Sequence, residues 1–126
     1  MAKVLIIEDD QFLSKMYLKK LGLAGFQVDC AYDGEEGLAK MKSVKPDFVI
    51  MDIMMPKLNG LDAISRAKAD EEIKNIPILV LTNLANADDS SLAIEKGAAG
   101  YLIKSDFTPG EIVEKIKELL KGLPSK

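Results

Sequence analysis

Four short apolar runs in this sequence end on residues that can do chemistry. Val4–Ile7 is followed by Glu8, Asp9 and Asp10, Phe48–Met51 by Asp52, Ile78–Leu81 by Thr82, and Tyr101–Ile103 by Lys104. Two carboxylates about 4 Å apart repel by roughly 4 kcal/mol at an effective dielectric of about 20, so a cluster drawn from Glu8, Asp9 and Asp52 needs a proton or a cation to hold it together. With oxygen donors alone a hard divalent ion is favoured, and Mg²⁺ suits one or two carboxylates with water and phosphate. Taken singly, these residues have plainer roles. Asp10 suits a helix cap, Asp52 a turn before Pro56 and Gly60, Thr82 a surface hydroxyl and Lys104 a solvated charge. Placed together at strand ends, a carboxylate nucleophile, a divalent ion, a hydroxyl and a lysine supply what phosphoryl transfer to an aspartate requires.

The runs read as strands because each is too short for a helix and continuous enough to be buried on both faces. Between them lie amphipathic stretches. Gln11–Leu21 carries Leu13, Met16, Tyr17 and Leu21 at helical spacing and is expected to stop at Gly22 and Gly25. Phe26–Ala31 alternates as a further strand, and Asp33–Val44 is a helix through Leu38, Met41 and Val44 that ends before Pro46. Helices are also expected over Leu61–Asp70 and over Asn86–Lys96, the latter with Asp88 and Asp89 in its first turn. The last helix starts at Pro109 and carries a stripe of Ile112, Ile116, Leu119, Leu120 and Leu123. Five strand–helix units predict an α/β domain, a parallel sheet with helices on both faces, whose chemistry collects at the C-terminal ends of its strands.

Composition removes other classes. The 126 residues, 48% of them hydrophobic, suit one domain and exclude a two-domain enzyme. Net charge is −3, from 17 basic and 20 acidic residues, which argues against direct nucleic-acid binding. No histidine is present, which excludes serine–histidine–aspartate and cysteine–histidine catalysis and removes the usual zinc ligand. The single cysteine, Cys30, cannot form an internal disulfide, and with Met51, Met54 and Met55 it reads as a packing residue. Neither a signal peptide nor a membrane span is seen, so a cytoplasmic location without membrane partners is expected.

Four segments, Val4–Asp10 (VLIIEDD), Asp52–Gly60 (DIMMPKLNG), Leu79–Thr82 (LVLT) and Gly100–Lys104 (GYLIK), occur in order at the expected strand ends, and through them the chain resembles a response-regulator receiver domain of the single-domain, CheY-like kind. The resemblance covers nearly all of the chain. It implies a (βα)5 doubly wound, flavodoxin-like fold of strand order 2-1-3-4-5, with residues 1–122 as the receiver domain, 123–126 as a short C-terminal tail and no output domain expected. It implies that Asp52 is the phosphoacceptor and that Mg²⁺, for which Mn²⁺ can stand in, is held by Glu8, Asp9, Asp52 and the backbone carbonyl of Met54. Thr82 is then the hydroxyl that moves onto the phosphoryl group, Lys104 the cation that pairs with it, and Tyr101 the aromatic that turns inward behind Thr82.

By the same resemblance the partners are a sensor histidine kinase or histidine phosphotransfer protein upstream and a protein target downstream. The chain would be no conventional enzyme, only a catalyst of its own phosphorylation and dephosphorylation. Lacking histidine, it cannot be its own donor. Asn83 and Ser105 depart from the common pattern, which has a small residue after the threonine and a proline, joined by a cis peptide, after the lysine. Met54 and Leu84, two residues beyond Asp52 and Thr82, are apolar positions expected to influence phosphate lifetime. The acidic loop after the first strand would repel a flavin phosphate, no P-loop or dinucleotide fingerprint follows that strand, and Met54 stands where a haloacid-dehalogenase-type phosphatase has a second aspartate. The remaining alternative is a receiver-like interaction module that works without phosphorylation.

Overall fold

The computed structural model describes residues 2–55, 57–83 and 87–121. Strands and helices alternate through it: β1 (Lys3–Ile7), α1 (Gln11–Leu23), β2 (Gln27–Ala31), α2 (Gly34–Val44), β3 (Phe48–Met51), α3 (Gly60–Ala69), β4 (Ile78–Thr82), α4 (Ala87–Glu95), β5 (Gly100–Ile103) and α5 (Pro109–Lys121), with a short 3₁₀ turn over Lys104–Asp106. All strand pairs are parallel, and the order across the sheet is β2-β1-β3-β4-β5, as expected.

Alternation along the strands divides the core into two layers. Leu5, Ile7, Val49, Met51, Ile78 and Val80 meet Met41 of α2, Ala63, Ile64 and Ala67 of α3, and Ala93 of α4. Val4, Ile6, Ile50, Leu79 and Leu81 point the other way and meet Tyr17 and Leu21 of α1 and Ile112, Val113, Ile116 and Leu120 of α5. Continuous apolar strands are what such a two-sided sheet demands. The strand order reverses between β1 and β3, so a crevice opens at their C-terminal ends, where Glu8 and Asp52 follow.

Side-chain caps set the helix starts. Asp10 accepts the Leu13 N–H at 3.1 Å, Asp33 the Glu36 N–H at 2.8 Å and Asn59 the Asp62 N–H at 3.0 Å. Thr108 and Glu111 cap α5 reciprocally, at 3.2 and 2.9 Å.

Two helices differ from the sequence reading. Gly22 does not interrupt α1, which runs on to Leu23; the chain turns at Gly25, whose φ of 99° is a glycine conformation. The fully buried α1 residues are Ser14, Tyr17 and Leu21, with Leu13 and Met16 half-buried beside them. In α5, Val113 joins the buried stripe and Leu119 is exposed, because the sheet lies one position round the helix from the expected stripe. Pro56, Leu84, Asn86, Leu123 and the tail 123–126 lie outside the described residues. Among the described residues, no helix is long and apolar enough to cross a membrane.

Candidate functional site

Glu8 and Asp52 are carried just past the ends of β1 and β3, and the sheet ladder continues beneath them: the Glu8 N–H donates to the Ala31 carbonyl and the Asp52 N–H to the Ile7 carbonyl, both at 3.0 Å. This backbone pairing fixes the roots of two acids on adjacent strands. Glu8 is 3% exposed, Asp52 8% exposed and Asp9 open to solvent. One carboxylate oxygen from each of the three lies within 4.8 Å of the others.

Lys104, at the end of β5, reaches across the strand ends and donates to both buried acids, to Glu8 Oε1 and to Asp52 Oδ2 at 2.9 Å. The other Asp52 oxygen, Oδ1, accepts the Met54 N–H at 3.1 Å, and Glu8 Oε2 accepts the Asp10 N–H at 3.2 Å. Burial pushes the Glu8 carboxyl up to about 7, against the pull of Lys104. Burial also works to lower the Lys104 ammonium, but its hydrogen bonds to Glu8 and Asp52 prevail and hold it above its ordinary value. Three carboxylates against one ammonium leave two negative charges uncompensated when all are ionised, the charge of one divalent ion. The donors are all oxygen, one is open to solvent, and no thiol or imidazole is among them; that set fits Mg²⁺ or Mn²⁺.

A close backbone approach shapes the loop after Asp52. The Gly60 N–H donates to the Ile53 carbonyl at 2.8 Å, and a Cβ on Gly60 would lie 2.6 Å from both the Asp52 carbonyl oxygen and the Ile53 Cα. Only glycine lets α3 start this close to the aspartate. In the same loop Lys57 has a φ of 66°, a strained conformation for a lysine, and its ammonium lies 3.6 Å from Asp33. Met54, whose N–H bonds Asp52, is 60% exposed.

Thr82 is fully buried at the end of β4. The register Met51↔Val80 sets Asp52 level with Leu81, so Thr82 lies one step further along the adjacent strand. Tyr101 pairs in register with Val80 and packs, half-buried, against the layer that contains Ala93 of α4. Burial raises its phenol, and Asp89 and Asp52 add to that. Asn83 is exposed. The Lys104–Ser105 peptide is trans, there being no cis bond among the described residues, and Asp10 is the cap expected of it.

The structure therefore brings Glu8, Asp9, Asp52 and Lys104 into one cluster and sets Thr82 and Tyr101 on the neighbouring strands. Two features were not anticipated. Lys104 already bonds both buried acids, where only a phosphoryl partner was expected for it. Ser14, fully buried on α1, donates its hydroxyl to the Glu8 carbonyl at 3.2 Å. A polar residue in the apolar face of α1 was the available signal.

A family model described as the response regulator receiver domain matches residues 4–117. Among curated proteins, the DNA-binding dual master transcriptional regulator RpaA of Synechocystis is 35% identical over 121 residues, which cover 96% of this chain and 50% of that protein. The alkaline phosphatase synthesis transcriptional regulatory protein PhoP of Bacillus subtilis is 33% identical over 119 residues, covering 94% of this chain and 48% of that protein. The chain thus spans about half the length of these curated relatives. Among solved structures, the chemotaxis response regulator CheY4 of Vibrio cholerae superposes with a TM-score of 0.86 at 31% identity, covering 94% of this chain and 98% of that one. A putative response regulator from Chloroflexus aurantiacus gives 0.84 at 32% identity, covering 95% and 98%.

Proposed function

The chain belongs to the response-regulator receiver family, and from that premise we propose that Asp52 accepts a phosphoryl group from a phosphohistidine of a sensor histidine kinase or histidine phosphotransfer protein and that the modified chain presents an altered face to a downstream protein. The observation that carries this reading is the meeting of Glu8, Asp9 and Asp52 within 4.8 Å at the strand switch point, bridged by Lys104.

An Asp52 carboxylate oxygen attacks the phosphorus in line. The new P–O bond forms as the P–N bond to the donor imidazole breaks, and the electron pair stays with that nitrogen. Glu8, Asp9 and Asp52 are the side chains that would hold Mg²⁺ or Mn²⁺, with the Met54 carbonyl, and the ion supplies neutralisation of the oxygens in transfer. Lys104, held by Glu8 on one side, is already beside the acceptor and follows the incoming oxygens without crossing the site. Water attack on the acyl phosphate returns the carboxylate and releases phosphate.

Phosphorylation replaces the single negative charge of the Asp52 carboxylate with a phosphoryl group of about −1.5 to −2, a net gain of up to about one negative charge, and supplies three acceptor oxygens further from the backbone. The Thr82 hydroxyl donates to one of them, and Tyr101, on the strand beside it, follows into the space behind. Because Tyr101 packs toward α4, the change reaches the surface formed by α4, β5 and α5. We place this chemistry in the cytoplasm, where the kinase's phosphohistidine is presented. Hydrogen exchange over residues 87–120, with and without beryllofluoride and Mg²⁺, tests the switch. Altered protection in α4 and β5 is expected; identical protection in both states would instead favour an interaction module that works without phosphorylation.

A further inference from the structure

We propose that Ser14 is a positioning residue for the divalent-cation site, acting through the backbone of Glu8; this rests on Glu8, Asp9 and Asp52 being the cation's ligands. The buried face of α1 is Ser14, Tyr17 and Leu21, and packing alone would place an apolar side chain at the first of these positions. Ser14 is fully buried, and its hydroxyl donates to the Glu8 carbonyl at 3.2 Å while its own N–H donates to the Asp10 carbonyl at 3.0 Å. One residue therefore holds the carbonyls on both sides of Asp9.

Asp9 is the exposed member of the acidic cluster and makes no strand-ladder contact of the kind that roots Glu8 and Asp52. Its direction is set by the peptides flanking it. The Glu8 carbonyl orientation fixes the Glu8–Asp9 peptide plane, and the Asp10 N–H, which donates to Glu8 Oε2 at 3.2 Å, holds the Asp9–Asp10 plane, with the Asp10 carbonyl engaged in turn by the first turn of α1. Without the hydroxyl, the Glu8 carbonyl loses a buried donor and turns to find another, taking the Asp9 carboxylate with it. Groups that orient ligands in this way control metal affinity without touching the ion.

Mn²⁺ binding to the metal-stripped full chain, followed by paramagnetic resonance of the free ion, tests the proposal in wild type, Ser14→Ala and Ser14→Cys. The thiol nearly conserves shape and is a weak donor, so Ser14→Cys reports even where Ser14→Ala folds poorly. About tenfold weaker binding is expected for Ser14→Ala, with Ser14→Cys intermediate, in variants that are fully folded without metal at the temperature of the titration. Affinities within about twofold of wild type in the folded variants would overturn the positioning role and leave the cation site standing. If wild type itself bound no Mn²⁺, the cation reading would fall and the role of Ser14 with it.

Discussion

Lys104 holds two buried carboxylates at once, and this gives it a structural role beside the signalling role we propose for it. Removing one partner of a buried ionic group leaves the others uncompensated, so Lys104→Met should destabilise the metal-free chain on the order of 3 kcal/mol in urea unfolding. A change indistinguishable from that of a surface lysine such as Lys19 would contradict the buried pairing. Asn83 follows the buried threonine and is itself exposed; under the proposed function its amide shields the phosphoryl group from water. Asn83→Ala should shorten the acyl-phosphate lifetime several-fold, and an unchanged lifetime would refute the shielding. At this scale the strand-end residues were legible because an apolar run that stops on a polar residue delivers that residue to the C-terminal end of a strand. Ser14 showed only as a polar residue within an apolar face, since helical spacing does not say that its hydroxyl finds an acceptor in the preceding loop. The direct contact between Lys104 and Glu8 was hidden for a related reason: it joins residues 96 positions apart.

Among the elements, the start of α3 is the tightest constraint on the site. A Gly60 Cβ would lie 2.6 Å from the Asp52 carbonyl oxygen, so Gly60→Ala must move the β3–α3 loop and Asp52 with it. The variant should lose about 1 to 3 kcal/mol in urea unfolding and be phosphorylated more slowly; wild-type stability and rate together would show that the loop yields freely. At the far end of α3, Lys42 of α2 bonds Asp70 at 2.8 Å and, with the Glu72 N–H, holds its carboxyl below the usual range. A folded value below the unfolded one means that this contribution is complete above the ordinary carboxylate value and is lost as pH falls through the lower folded value. Asp70→Asn should therefore have a lower urea midpoint than wild type near pH 7, and the difference should shrink as pH falls below the ordinary carboxylate value. Helix starts were readable from Asp10, Asp33 and Pro109 because capping is local chemistry. Helix ends and faces were read less well. Gly22 stays inside α1 because a helical glycine costs only about 1 kcal/mol, which the packing of Tyr17 and Leu21 outweighs, and the faces of α1 and α5 are chosen by the sheet they lie on, which no local window contains.

For the whole molecule, alternation of five strands and five helices, with right-handed crossovers, was enough to predict a two-sided parallel sheet. The strand order came from the resemblance, since periodicity says which segments are strands and not which lie side by side. That order is what assembles the site, because Glu8 and Asp52 meet only if β1 and β3 are neighbours. Under the proposed function, the surplus negative charge there is what a bound divalent ion offsets, so the ion stabilises the folded chain. Mg²⁺ should raise the melting temperature of wild type, by the equivalent of about 2.7 kcal/mol at one hundred times its dissociation constant, and should do so far less for Asp9→Asn. Equal Mg²⁺ responses in the two proteins would remove Asp9 from the ligand set.

The central claim, that Asp52 is a phosphoacceptor, is tested most directly by chemical trapping. The chain is incubated with Mg²⁺ and a phosphodonor, either acetyl phosphate or a phosphorylated histidine kinase, the acyl phosphate is reduced with borohydride, and the modified residue is located by peptide mass spectrometry. We predict a single Mg²⁺-dependent modification at Asp52 that is absent from Asp52→Asn. Failure of wild type to be modified by any donor, or a modification that persists at another residue in Asp52→Asn, would contradict it.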